Sequence, residues 1–143
     1  MNRDRLKSQL KHDEGVRDHA YTDSEGYLTI GVGRLIDRTK GGRLSRDEIE
    51  FLLDNDIDRV RVKIEREFPP FKDLSDVRQE VLINMGFNLG VTGLLKFRHM
   101  LAAIERGDWL DASREGLDSK WARQVGNRSI RLMKAMRTNQ WEA

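Results

Sequence analysis

Between Ser45 and Pro69 the chain carries one amphipathic pattern: Ile49, Leu52, Leu53, Ile57, Val60 and Ile64 form an apolar stripe, and Asp, Glu and Arg occupy the opposite side. Apolar residues recurring every three or four positions make a helix with a single buried face. Both ends are marked chemically. Ser45 followed three residues later by Glu48 is a capping box, in which the two side chains satisfy backbone N–H groups orphaned at a helix start. Pro69-Pro70 ends the helix, because proline brings no N–H and its ring clashes with the preceding turn. A long helix therefore divides the 143 residues into two stretches of different character.

The first stretch is mixed. Leu6 and Leu10, four apart, predict a short opening helix that stops near Glu14-Gly15. From Tyr21 to Leu35 the turn residues Asp23-Ser24-Glu25-Gly26 precede Tyr27-Leu28-Thr29-Ile30, and Gly31 and Gly33 flank Val32, which predicts a hairpin or small sheet. A basic, glycine-containing loop follows over Arg38 to Arg43. The second stretch reads as helices over Ser75 to Leu89, Thr92 to Glu105, Asp108 to Leu117 and Asn127 to Arg137, punctuated by Gly90, Gly107 and Gly126. Met85, Met100, Met133 and Met136 are expected as core filler. The expected fold is a single α+β domain over 1–143: an opening helix (1–13) packed on the helical lobe, a β lobe (14–44), a connecting helix (45–67) and a helical lobe (68–143), with a cleft between the lobes.

Several function classes fall away. With no cysteine there is no disulfide framework, thiol nucleophile or thiolate metal site. His12, His19 and His99 lie far apart without metal-ligand spacing and are expected at the surface, so no metal and no cofactor are implied. Gly31-Val32-Gly33 lacks the third glycine and following helix of a dinucleotide fingerprint. The longest uncharged run, Val81 to Leu95, is shorter than the ~20 residues a membrane helix needs and is expected to be the most buried helix. The charged N-terminus does not resemble a secretory signal, which points to a chain kept in a cytoplasm. From Ser119 onward, Lys120, Arg123, Arg128, Arg131, Lys134 and Arg137 stand against Glu142, a basic face suited either to solvent or to a polyanion.

Glu14 and Asp23 are the candidate catalytic pair. With 24 acids in the chain, roughly 4 acid pairs at any one separation arise by chance, so spacing alone selects nothing. Their setting does. Both flank a helix-to-hairpin junction beside Thr29 and glycines, whereas most other acids lie along amphipathic helices.

At Glu14, Asp23 and Thr29, with the strings Asp13-Glu14-Gly15, Asp23-Ser24-Glu25-Gly26-Tyr27 and Thr29-Ile30-Gly31-Val32-Gly33, the chain resembles the phage-type lysozyme (muramidase) family, T-even phage members especially. The resemblance continues through Leu82-Ile83-Asn84-Met85, Thr92-Gly93, Trp109, Trp121, Asn127-Arg128 and Arg137-Thr138 to Trp141. It implies a lysozyme-like fold and an endolysin that hydrolyses the β-1,4 bond between N-acetylmuramic acid and N-acetylglucosamine. Glu14 would be the proton donor, Asp23 the second carboxylate and Thr29 the hydroxyl near the attacked sugar. Leu35, Phe87, Asn88 and Met100 match cleft-lining positions, and Arg128 matches the arginine that faces the acid.

The resemblance further implies a monomer acting on peptidoglycan glycan strands, with no nucleic-acid partner and no membrane insertion. It would be held in the host cytoplasm until a separate holin gives access to the periplasmic wall. The chain also departs from the pattern. The segment between Leu35 and Ser45 is shorter, Arg34 replaces a histidine, Glu115 replaces a cleft asparagine, and Val125-Gly126 replaces Thr-Pro. Two other classes stay open at this point: a lytic transglycosylase, which closes an anhydro ring and does not require Asp23, and a non-enzymatic basic module binding wall or nucleic acid.

Overall fold

A computed structural model describes residues 1–36 and 42–142. The chain divides into two compact units, Met1–Phe51 and Leu52–Ala143. In the first, helix α1 (Arg3–Glu14) opens on Asn2, whose side chain accepts from the Arg5 N–H, and closes on Gly15 at φ 78°. Strands β1 (Arg17–Thr22), β2 (Leu28–Gly31) and β3 (Arg34–Leu35) form an antiparallel sheet in that order. The hairpin begins earlier than its hydrophobic pattern announced, because Arg17, Asp18 and His19 are exposed and offer no alternation; the register is irregular between Arg17 and Tyr21. Of the expected basic loop, Arg38 to Gly41 lie outside the described residues.

Helix α2 spans Arg46–Glu67. Its capping box forms: Glu48 Oε1 accepts from the Ser45 N–H at 2.9 Å and from the Ser45 hydroxyl at 2.7 Å, and Ser45 Oγ accepts from the Glu48 N–H at 3.4 Å. These bonds to Ser45, backbone first and side chain second, hold the Glu48 carboxyl below the ordinary glutamate range, and Arg34 adds a smaller push in the same direction. After Glu67 the prolines sit in a 3₁₀ turn, Pro69–Asp73.

The second unit continues with α3 (Asp76–Leu89), α4 (Val91–Leu95), α5 (Arg98–Glu105), α6 (Trp109–Leu117), α7 (Lys120–Val125) and α8 (Asn127–Thr138). Its core gathers Ile64, Phe71, Val81, Leu82, Leu94, Ile104 and Leu132 with all four expected methionines, each at most 2% exposed. The mixed α+β class is thus as expected, with three corrections to the helices. The stretch Thr92 to Glu105 is two helices, because the backbone leaves the helical region at Phe97 (ψ 59°) and its ring meets Trp121 edge-on, centroids 6.0 Å apart. Helix α7 is additional to the expected helices: Ser119 caps it by accepting from the Ala122 N–H at 3.1 Å, and Trp121 and Ala122 are buried. The run Val81 to Leu95 breaks at Gly90, and α8 buries five residues against four in α3.

Candidate active site

The first unit holds Glu14, Asp23, Thr29 and Leu35. Glu14 is the last residue of α1, and its side chain lies against the turn between β2 and β3. A Cβ built on Gly33 would stand 2.8 Å from Glu14 Oε2 and 3.2 Å from Glu14 Cβ, and Gly33 also sits at φ +66°. Glycine suits the position in two ways: the backbone lies at a φ that favours it, and an added Cβ would press on the Glu14 side chain. Arg34, the next residue, ion-pairs with Glu48 at the start of α2.

Asp23 and Thr29 are brought together by one residue between them. The Tyr27 N–H donates to Asp23 Oδ1 at 2.8 Å, while the Tyr27 carbonyl accepts from the Asp23 N–H at 2.8 Å and from the Thr29 hydroxyl at 3.1 Å. Asp23 Oδ1 also accepts from the Glu25 N–H at 2.9 Å, which closes an Asx turn of the kind aspartate favours. Oδ1 is thereby saturated with backbone donors, and Oδ2 faces none of them. Thr29 is 2% exposed in the central strand, paired with Tyr21 on one side and Leu35 on the other. Having given its proton to the Tyr27 carbonyl, its oxygen is left as an acceptor.

The second unit holds Phe87, Asn88, Met100 and Arg128. A groove of about 330 Å³ is lined by Leu53 and Ile57 of α2, by Glu80, Ile83, Asn84 and Phe87 of α3, and by Arg128 of α8. Arg128 Nε and Nη2 donate to Asn84 Oδ1 at 3.0 and 2.8 Å. A separate cavity of about 470 Å³ contains Met100, Phe97, Trp121 and Glu115. Asn88 supports its wall by accepting from the Trp121 indole N–H at 2.7 Å. The Asn84 contact to Arg128 and the Asn88 contact to Trp121 span 44 and 33 residues of sequence, and no local pattern signals either.

His12 and His19 are exposed and, among the described residues, bond only to the neighbouring aspartates, Asp13 and Asp18; His99 is exposed as well. The contact from His19 lowers the Asp18 carboxyl below its ordinary value. Among the described residues no group of three or more acids or histidines is placed to hold a metal ion, and no helix is long and apolar enough to cross a membrane.

Comparison with known proteins bears directly on this arrangement. The model of the phage lysozyme family matches residues 11–139. A probable T4-type lysozyme 1 of Dictyostelium discoideum is 33% identical, across 93% of this chain and 94% of that protein. A probable T4-type lysozyme 2 of the same organism is 30% identical with the same coverage. The pre-baseplate central spike protein Gp5 of Enterobacteria phage T4 is 30% identical across 96% of this chain, which corresponds to 28% of the spike protein.

Proposed function

Given that the chain belongs to the phage lysozyme family and is a glycoside hydrolase acting on peptidoglycan, we propose that it cleaves the β-1,4 bond between N-acetylmuramic acid and N-acetylglucosamine with Glu14 as general acid and Asp23 and Thr29 as the groups that hold the attacking water. The observation that carries this reading is the pair of bonds through Tyr27, which leaves Asp23 Oδ2 and Thr29 Oγ1 as acceptors on one hairpin. A water donating both protons to two acceptors turns its lone pair outward, toward an anomeric carbon.

The glycosidic oxygen leaves poorly unless it is protonated, and the oxocarbenium-like transition state is stabilised by a nearby negative charge. Two carboxyls in different protonation states meet both needs. Glu14, laid on Gly33, supplies the proton, and Asp23, saturated on one oxygen, keeps the other for the water and the developing cation. The resemblance assigns Leu35, Phe87, Asn88 and Met100 to the path of the glycan strand and Arg128 to the support of the acid, although Met100 itself is buried in the core. The protein acts as a monomeric endolysin, held in the host cytoplasm until a holin admits it to periplasmic peptidoglycan.

Glu14→Gln tests the assignment. The amide keeps the shape of the side chain but has no proton to donate, and general acids contribute about 10²–10⁴-fold. Clearing of permeabilised Gram-negative cells should fall by at least that lower factor at an unchanged Tm. Retention of more than about a tenth of the rate would overturn the role of Glu14. Products ending in an anhydro ring, detected by mass, would replace hydrolysis with the transglycosylase reaction.

A further inference from the structure

The guanidinium of Arg128 is half-buried, yet among the described residues its only hydrogen-bond partners are neutral: Asn84 Oδ1 twice and, at 3.4 Å, the Asn84 carbonyl. An acid stands one helical turn away. Glu80 precedes Asn84 by four residues on α3, a spacing that sets two side chains side by side, and it lines the same groove as Arg128. No ion pair joins them; the Glu80 carboxylate instead accepts, at Oε2, from the indole N–H of Trp141.

Trp141 is brought there by the way helix α8 ends. Arg78 Nε donates to the Met136 carbonyl at 2.8 Å, where the last turn of α8 has carbonyls left over. Asn139 then stops the helix at φ 60°, its side chain bonded to the Ser75 hydroxyl. Ser75, Arg78 and Glu80 of the α3 region thus each hold a part of the segment from Met136 to Trp141.

We infer that Trp141 is a positioning residue: by holding the Glu80 carboxylate, it keeps Glu80 off Arg128 and leaves the charge of that guanidinium uncommitted toward the groove. The catalytic consequence rests on the supporting role given to Arg128 above. A guanidinium neutralised by Glu80 would offer less to any other anion, and Asn84 fixes its orientation without competing for its charge.

The test is a double-mutant cycle combining Glu80→Gln with Arg128→Gln, measured by denaturant unfolding in two backgrounds, wild type and Trp141→Phe. Phenylalanine keeps an aromatic ring and removes the indole N–H together with the five-membered ring that carries it. The expected result is no coupling in the wild-type background. In Trp141→Phe, a favourable coupling of about three- to fivefold in the unfolding equilibrium should appear, the range of a partly exposed ion pair. Turnover on soluble murein fragments should then fall by about the same factor in Trp141→Phe with KM unchanged, and adding Glu80→Gln should restore it. Equal coupling in the two backgrounds, or a loss that Glu80→Gln does not restore, would overturn the inference and leave Trp141 as packing alone. Coupling that appears with turnover unchanged would keep the diversion of Glu80 and overturn the role given to Arg128.

Discussion

Replacing Gly33 with alanine should separate the position of Glu14, the proposed general acid, from the stability of the sheet. Two costs are expected. At φ +66° an alanine is strained by about 1–2 kcal/mol, the penalty of the left-handed region for a residue with a Cβ. The new methyl would also stand 2.8 Å from Glu14 Oε2, 3.0 Å from Cδ and 3.2 Å from Cβ, where ordinary contact begins at 3.4 Å. The carboxylate oxygen must therefore retreat by about 0.6 Å, and the helix-anchored Cβ by about 0.2 Å. Since a misplacement of about 1 Å at a reacting group costs roughly 10²-fold, the retreat should lower turnover roughly tenfold.

Gly31→Ala is the matched control. Its φ is +70°, nearly the same strain, but a Cβ there meets nothing within 4 Å. The two variants should lose similar stability by thermal unfolding followed by circular dichroism. Only Gly33→Ala should lose turnover per folded molecule in the cell-clearing assay. Equal specific activities would show that the Gly33 turn does not set the position of Glu14, and the argument from contact distances would fail.

Thr29→Val, which keeps the shape and removes the acceptor, should lower turnover by at least tenfold while the Tyr27 carbonyl keeps its bond from the Asp23 N–H; full activity would remove the hydroxyl from the mechanism. Under the proposed mechanism, in which a held water attacks instead of Asp23, hydrolysis should invert the anomeric centre; early-time NMR showing a retained β product would contradict it. The Glu48 carboxyl titrates below its unfolded value, so its contribution to stability is complete above the ordinary glutamate range and disappears as pH falls through the lowered folded value. The Tm difference between wild type and Glu48→Gln should accordingly shrink on acidification from about pH 6 to about pH 3, and a difference independent of pH would refute the capping-box account. Arg78 stacks on Trp109 with Cζ 3.7 Å from the ring centroid while donating to the Met136 carbonyl. Arg78→Lys should cost about 2 kcal/mol in urea unfolding, and a cost under about 0.5 kcal/mol would mean that stack and cap contribute little.

What the sequence determined by itself was local or periodic. The capping box at Ser45 and Glu48, the stop at Pro69-Pro70, the turn at Asp23 to Gly26 and the core role of four methionines each follow from residues within about a turn of one another or from the helical repeat. That Glu14, Asp23 and Thr29 lie on a helix end and a hairpin was legible for the same reason, whereas the roles proposed for them came from the family resemblance. The break at Phe97 was not, because it serves a ring contact with Trp121, and no periodicity over Thr92 to Glu105 records a partner in α7. The hold of Asn84 on Arg128 and of Trp141 on Glu80 belongs to the same class: the partners are 44 and 61 residues apart, and only packing of the helices brings them within hydrogen-bond reach. Hydrogen bonds fall off within a few tenths of an ångström, so a polar group's partner is decided by tertiary structure even where the side chain itself is plain in the sequence.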